Sequence, residues 1–294
     1  MRTITPLRYP GGKACLAPAI ASLLEANGLV RPVMAEPYAG GAGASLELLL
    51  GEYVESIFIN DLDYRIFSLW WALLNHNERF ATRIDSVPLT ISEWKRQRHI
   101  YKNPRKYKRF EVGFSTFYLN RTNRSGILVN GGPIGGLNQS GKWGLDARFT
   151  RSTLINRVVR IGAYRERIFL SNLDALVFIK RLRSNITSKD VFLYLDPPYY
   201  EKGADLYISS YNHEDHIAVS RAIKSQRVPY WAVTYDDVRE IRDVYAGCRL
   251  MPFRLRYTAH SSRLGKELLI TSKRLVMPKR ELLGDHFRRR SAAR

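Results

Sequence analysis

Three short apolar runs, residues 32–35, 56–59 and 191–195, each stop abruptly at turn-forming polar residues: Glu36-Pro37, Asn60-Asp61 and Asp196-Pro197-Pro198-Tyr199. A continuous apolar run of this length, bounded by turn chemistry, is the pattern of a strand buried on both faces of a parallel sheet. Helix-forming segments cover residues 45–50, 64–75 and 213–225. Parallel neighbours need a crossover, so the alternation predicts an α/β domain. In such sheets ligands bind beyond the carboxyl ends of the strands, where the polar residues of all three runs fall.

The chain has 294 residues, 45% of them hydrophobic and 25% charged, room for one large domain or two modest ones. Its longest apolar stretch, residues 66–74, is far short of the ~18 residues of a membrane span, and the N-terminal residues carry no apolar core of signal-peptide length. The expectation is a cytoplasmic protein with no membrane partner. Cys15 and Cys248 make neither a disulfide framework nor a paired-cysteine zinc motif. His213-Glu-Asp-His216 reads as a helix start, and no metal is expected.

The net charge of +20 points to a polyanionic partner. It is unevenly spread: residues 1–75 hold five basic and seven acidic residues, residues 90–167 seventeen basic and four acidic. In the second stretch a basic cluster, residues 95–109, precedes Phe110, Phe114, Phe117 and Tyr118, and then a Gly-, Asn- and Arg-rich stretch, residues 120–143. Basic residues interleaved with aromatics suit phosphate and base contacts. A solvated helical face followed by a surface loop has the same composition. The basic C-terminal residues, 279–294, read as a tail.

Glu36-Pro-Tyr-Ala-Gly40-Gly41-Ala-Gly43 links the first strand to a helix, and its glycines allow close backbone approach to a ligand. Asp61 follows about eighteen residues after Gly43, at the end of the next strand, the placement of a carboxylate that binds ribose hydroxyls. Leu46 rules out a dinucleotide fingerprint. A second glycine turn, Arg8-Tyr-Pro-Gly11-Gly12-Lys13, lacks both the first glycine and the hydroxyl residue of a phosphate loop, with Leu7 and Ala14 in those places. Each turn is also compatible with a plain structural turn.

In Asp196-Pro197-Pro198-Tyr199 two prolines fix the backbone, so a carboxylate and the Pro197 carbonyl are presented together as acceptors. Two acceptors suit a planar exocyclic amine with its two N–H donors. Tyr199 supplies a ring for the face of the same flat substrate.

The ordered set Pro6-Leu-Arg-Tyr-Pro-Gly-Gly-Lys13, Glu36-Pro-Tyr-Ala-Gly-Gly41, Asn60-Asp61, Phe117-Tyr-Leu-Asn-Arg121 and Asp196-Pro-Pro-Tyr199 resembles the Dam-like family of adenine-specific DNA methyltransferases, in its α order of motifs. The resemblance implies a Rossmann-like methyltransferase sheet with an inserted, mainly helical target-recognition domain. It places the catalytic domain at residues 1–75 and 171–278 and the recognition domain at 76–170. It implies S-adenosylmethionine as cofactor, held by Tyr9, Lys13, Glu36, Gly40, Gly41, Gly43, Asp61 and Asp196. Asp196, Pro197, Pro198 and Tyr199 become the catalytic set acting on the N6 amine of a flipped adenine in double-stranded DNA. Asn120, Arg121, Arg124 and Asn130 become candidate DNA contacts. A monomer is expected, with a cognate restriction endonuclease as a further partner. Tyr9 stands where the family often has Trp, and Thr122 where some members have an aromatic. A cytosine-N4 methyltransferase satisfies the same amine geometry, a glutamine methylase uses a related turn usually opened by Asn, and a DNA-binding protein on an inactive methylase fold is the non-enzymatic alternative.

Overall fold

Strands β1 (Val33–Glu36), β2 (Ser56–Asn60) and β4 (Val191–Leu195) lie side by side and parallel, with β1 between the other two. The computed structural model describes residues 4–8, 12–185, 190–201, 211–225, 228–257 and 263–287. Strand β1 starts one residue later than the apolar run, because Pro32 has no N–H to give to a ladder. With β3 (Ile168–Ser171), β5 (Tyr230–Asp236), β6 (Arg249–Tyr257) and β7 (Arg263–Thr271) they form one seven-stranded sheet of order β3-β2-β1-β4-β5-β7-β6. Strand β7 runs antiparallel to both neighbours. Pro252 is tolerated in β6 because that strand is an edge.

Alternation along the strands feeds two apolar layers. Met34, Ile57, Ile59, Phe192 and Tyr194 face a layer that includes helices α1 (Ala17–Ala26), α2 (Gly43–Leu50) and α3 (Tyr64–Asn75). Ala35, Leu193, Leu195, Val233 and Tyr235 face the layer of α8 (Ala175–Asn185), α9 (His213–Ser225) and α10 (Arg239–Val244). This is a three-layer α/β architecture of Rossmann-like form. Helix α9 begins at His213 with reciprocal bonds between Asn212 and Asp215, Asp215 N–H to Asn212 Oδ1 at 3.0 Å and Asn212 N–H to Asp215 Oδ2 at 2.9 Å. That capping box accounts for Asp215 in His213-Glu-Asp-His216. Among the described residues no helix is long and apolar enough to cross a membrane.

Between α3 and β3 come α4 (Asn77–Ser86), α5 (Ile91–Lys102), α6 (Arg109–Thr122) and α7 (Arg151–Gly162). Helix α6 presses on α3 so closely that a Cβ on Gly113 would lie 2.2 Å from the Ser68 carbonyl oxygen. The aromatic run expected to meet bases is core instead: Phe110, Phe114, Phe117 and Tyr118 are all buried. Phe80 meets Phe110, Phe114 and Phe117 edge-on, with ring centroids 5.2–6.1 Å apart. Interleaving misled here because one face of α6 carries aromatics inward while charge gathers on neighbouring segments. Removing such a ring, as in Phe117→Ala, costs about 3–5 kcal/mol. These helices share the apolar layer of α1–α3. The sheet also resumes at Ile168, ahead of the expected boundary at residue 171.

Candidate active site

The carboxyl ends of β1, β2 and β4 lie side by side, and Asn60 ties the end of β2 to the segments that leave β1 and β3. Its side-chain amide donates to Pro37 O (3.0 Å) and Leu173 O (2.9 Å), while its Oδ1 accepts from Ser171 Oγ (2.8 Å) and Leu173 N (2.9 Å). The glycine turn after β1 bends through left-handed backbone at Gly40 and Ala42, with φ of 45° and 46°. Gly40 N–H donates to Asp61 Oδ2 at 2.9 Å, and Trp70 of α3 donates its indole N–H to Gly40 O at 2.9 Å. Asp61 Oδ1 accepts from Asp63 N–H at 2.9 Å. Each Asp61 oxygen thus takes one backbone bond and keeps acceptor capacity for a ligand. Gly43 is constrained by packing: a Cβ there would sit 3.1 Å from Ala14 Cβ.

The first turn is pinned onto the second. Thr5 Oγ1 donates to Gly41 O at 2.6 Å, and Lys13 opens a short 3-10 turn, Lys13–Leu16, that leads into α1. Tyr9 lies outside the described residues, as does the end of the basic tail.

Lys13 Nζ lies 3.0 Å and 3.2 Å from the two Asp196 oxygens, 2.8 Å from Tyr199 Oη and 3.5 Å from Glu267 Oε2. Tyr199 O–H donates to Glu267 Oε1 at 3.0 Å, and Thr234 Oγ1 donates to Asp196 Oδ1 at 2.7 Å. The Asp196 side chain is 21% exposed, whereas those of Lys13 and Glu267 are 3% and 0%. Asp196 is therefore the accessible end of a buried, charge-assisted network. Removing one member strands the others, at about 3–5 kcal/mol. Downstream, Asp236 accepts from Tyr200 N–H (3.0 Å) and Glu201 N–H (3.1 Å), fixing the exit of the turn. Pro197 and Pro198 are buried. Tyr199 is 4% exposed, so its ring is not an open platform.

Burial pushes the Glu36 carboxyl up to about 8, against the hydrogen bond from Ser45 Oγ, and the charges of Asp196 and Asp61 push the same way. Asp61 is pushed up to about 7 by burial and by Asp63. Three carboxyl groups near one lysine suit a ligand that brings positive charge. Sequence reasoning missed Glu267, Thr234, Asp236 and Trp70. One signal for Glu267 was available, an acid directly before the apolar run Leu268-Leu-Ile270.

The family model for the D12 class N6 adenine-specific DNA methyltransferase matches residues 9–259, most of the chain. The chain belongs to that family. No curated protein matches the sequence. Two solved structures of the rRNA methyltransferase aviRa from Streptomyces viridochromogenes resemble the chain at 10% and 11% identity. The likeness covers 91% of this chain and 88% of theirs, with TM-scores of 0.40 and 0.41.

For an adenine-specific methyltransferase the candidate DNA contacts divide in two. Asn120 is fully buried: its Oδ1 accepts from Arg8 N–H at 2.7 Å, and its amide donates to Arg8 O (2.9 Å) and Gly126 O (3.0 Å). Both ends are spent on backbone, so the expected DNA contact is instead a clamp that holds the first turn against α6. Arg121 is also buried, with Nε donating to Arg148 O at 2.8 Å. Burial, with Arg8, Arg157 and Arg148 nearby, pushes its guanidinium down to about 9. Arg124 and Asn130 are exposed, on the loop closed by the Asn123–Pro133 bridge, and Asn130 takes left-handed backbone at φ 56°.

Proposed function

We propose that this protein transfers a methyl group from S-adenosylmethionine to the exocyclic N6 amine of an adenine flipped out of double-stranded DNA. The observation that carries the reading is the part-exposed Asp196 carboxylate, held by Lys13 and Thr234 at the end of β4 beside the glycine turn. Gly40, Gly41 and Gly43 would face the cofactor with backbone, Asp61 would take its ribose hydroxyls, and Glu36 with Asp196 would offset its positive charge. Lys13 would act here through Asp196. When bound, the cofactor supplies an electrophilic methyl group on a sulfonium.

The chain's own part is positioning. Asp196 and the Pro197 carbonyl accept the two amine N–H bonds, which turns the nitrogen lone pair toward the donor, and fixed orientation lowers the barrier. The base must leave the duplex to reach this locus, at a cost of a few kcal/mol offset by stacking and hydrogen bonding. Tyr199 stacks on that base once its cover has moved. Arg124 and Asn130 grip the DNA, and the basic surplus of residues 90–167 supplies its long-range attraction. The expected test is Asp196→Ala: methyl transfer is lost while DNA affinity is kept. Loss of DNA binding together with activity overturns the assignment.

A further inference from the structure

Methylation of the amine leaves a proton to remove: the nitrogen–carbon bond forms, the carbon–sulfur bond breaks with its electron pair going to sulfur, and one N–H proton departs. In the reading above Asp196 accepts one of those N–H bonds. If the proton stayed on it while base and cofactor cover the site, Asp196 would lose the charge that holds the amine as the new bond forms. The buried network behind it can take that proton up. Asp196 touches Lys13 Nζ at 3.0 Å and 3.2 Å, Lys13 Nζ touches Tyr199 Oη at 2.8 Å, and Tyr199 O–H points to Glu267 Oε1 at 3.0 Å. Every step is within hydrogen-bonding distance, and each donor faces an acceptor.

We propose that Glu267 ends a proton relay, running from Asp196 through Lys13 and Tyr199, that keeps Asp196 anionic during each transfer. Lys13 hands a proton to the Tyr199 oxygen as Tyr199 hands its own to Glu267, and Lys13 then takes the proton from Asp196. Lys13 and Tyr199 end as they began, Asp196 is again a carboxylate, and Glu267 carries the proton. This rests on the functional reading above and gives Glu267, which touches neither cofactor nor base, a role through its neighbours.

Glu267 is suited to the end position. It sits mid-strand in β7 with no exposure, and burial pushes its carboxyl up to about 7 against the pull of Lys13, so it accepts a proton near neutrality and returns it by the same path to the part-exposed Asp196, which passes it to solvent once the products have left. The titratable groups facing it are Lys13 and Cys15 from the first turn, Asp196 and Tyr199 from the turn after β4, and Asp236, its ladder partner on β5. Its ladder partner on β6 is Phe253, which does not titrate.

Glu267→Gln keeps the size and the acceptor for Tyr199 but cannot take the proton. In single-turnover assays on the full chain, the wild-type rate rises as pH passes about 7 and then levels. The Gln variant is slower by roughly 10–100-fold at alkaline pH and lacks that inflection, and Glu267→Asp restores part of both. A Gln variant with the wild-type rate and profile overturns the relay. An infrared titration of the cofactor-free protein reads the network without turnover. Subtracting the Gln variant's spectrum isolates a protonated-carboxyl band that fades through about pH 7 and shifts in Tyr199→Phe. A band indifferent to Tyr199→Phe refutes the coupling even if methyl transfer proceeds. Absence of any transfer to DNA adenine by the wild type refutes the functional reading instead, and the infrared result then decides the relay.

Discussion

Asn120→Ala separates a clamp from a DNA contact. The substitution removes three hydrogen bonds, two to Arg8 backbone and one to Gly126, from a fully buried position. Each is worth about 1 kcal/mol net, and the orphaned buried backbone groups add to that, so the loss is about 3–5 kcal/mol. At roughly 2–4 °C per kcal/mol for a chain of this size, the melting temperature falls by roughly 6–20 °C. The freed turn also carries Lys13, so cofactor affinity drops in calorimetry, while preference between DNA sites in competition binding stays as in the wild type. A variant with unchanged melting temperature and cofactor affinity, but with discrimination between sites reduced by about 1–3 kcal/mol, would show Asn120 reading a base and refute the clamp.

Other consequences follow from the same geometry. Glu36 and Glu267 are raised to about 8 and about 7 from an unfolded value near 4.5, and Asp61 to about 7 from near 3.8. The folded state therefore binds more protons than the unfolded one in that window, and stability of the cofactor-free protein falls as pH climbs from about 4 to 8, by about 3–5 kcal/mol per group. Denaturant titrations across pH check this, and Glu36→Gln flattens the curve. A cationic ligand favours the ionised carboxyls, so affinity for S-adenosylmethionine tightens as pH rises through about 7–8, more than for the uncharged-sulfur product. Equal pH dependence for the two removes Glu36 and Asp61 from the charge account. Arg124→Ala weakens DNA binding and lowers the salt slope by about one phosphate's worth in titrations at several salt concentrations. Trp70→Phe removes the bond to Gly40 O, costing about 1 kcal/mol of stability and raising the cofactor Kd.

Much of the fold was legible because local pattern and tertiary role agreed. The strand over 191–195 and the helices over 64–75 and 213–225 have the limits read from the sequence, each set by a polar stop. Strand β6 was not legible, since arginines and Pro252 break its apolar pattern at an edge where they are tolerated. The motifs carrying Lys13, Asp196 and Tyr199 could be read one by one. Their convergence on Glu267 could not, because only the antiparallel return of β7 brings that residue under the turn after β4. The candidate DNA contacts were legible only as a region. Net charge per segment does not say which side chain points inward, and Asn120 and Arg121 point inward while Arg124 and Asn130 do not.

The central claim is the transfer of a methyl group to adenine N6 in DNA. It is tested most directly by incubating the full chain with double-stranded DNA and S-adenosylmethionine carrying an isotope-labelled methyl group, followed by mass analysis of the nucleosides. The account predicts label in N6-methyladenine and its disappearance with Asp196→Ala. Label in N4-methylcytosine, or none in any base while the cofactor binds, would contradict it.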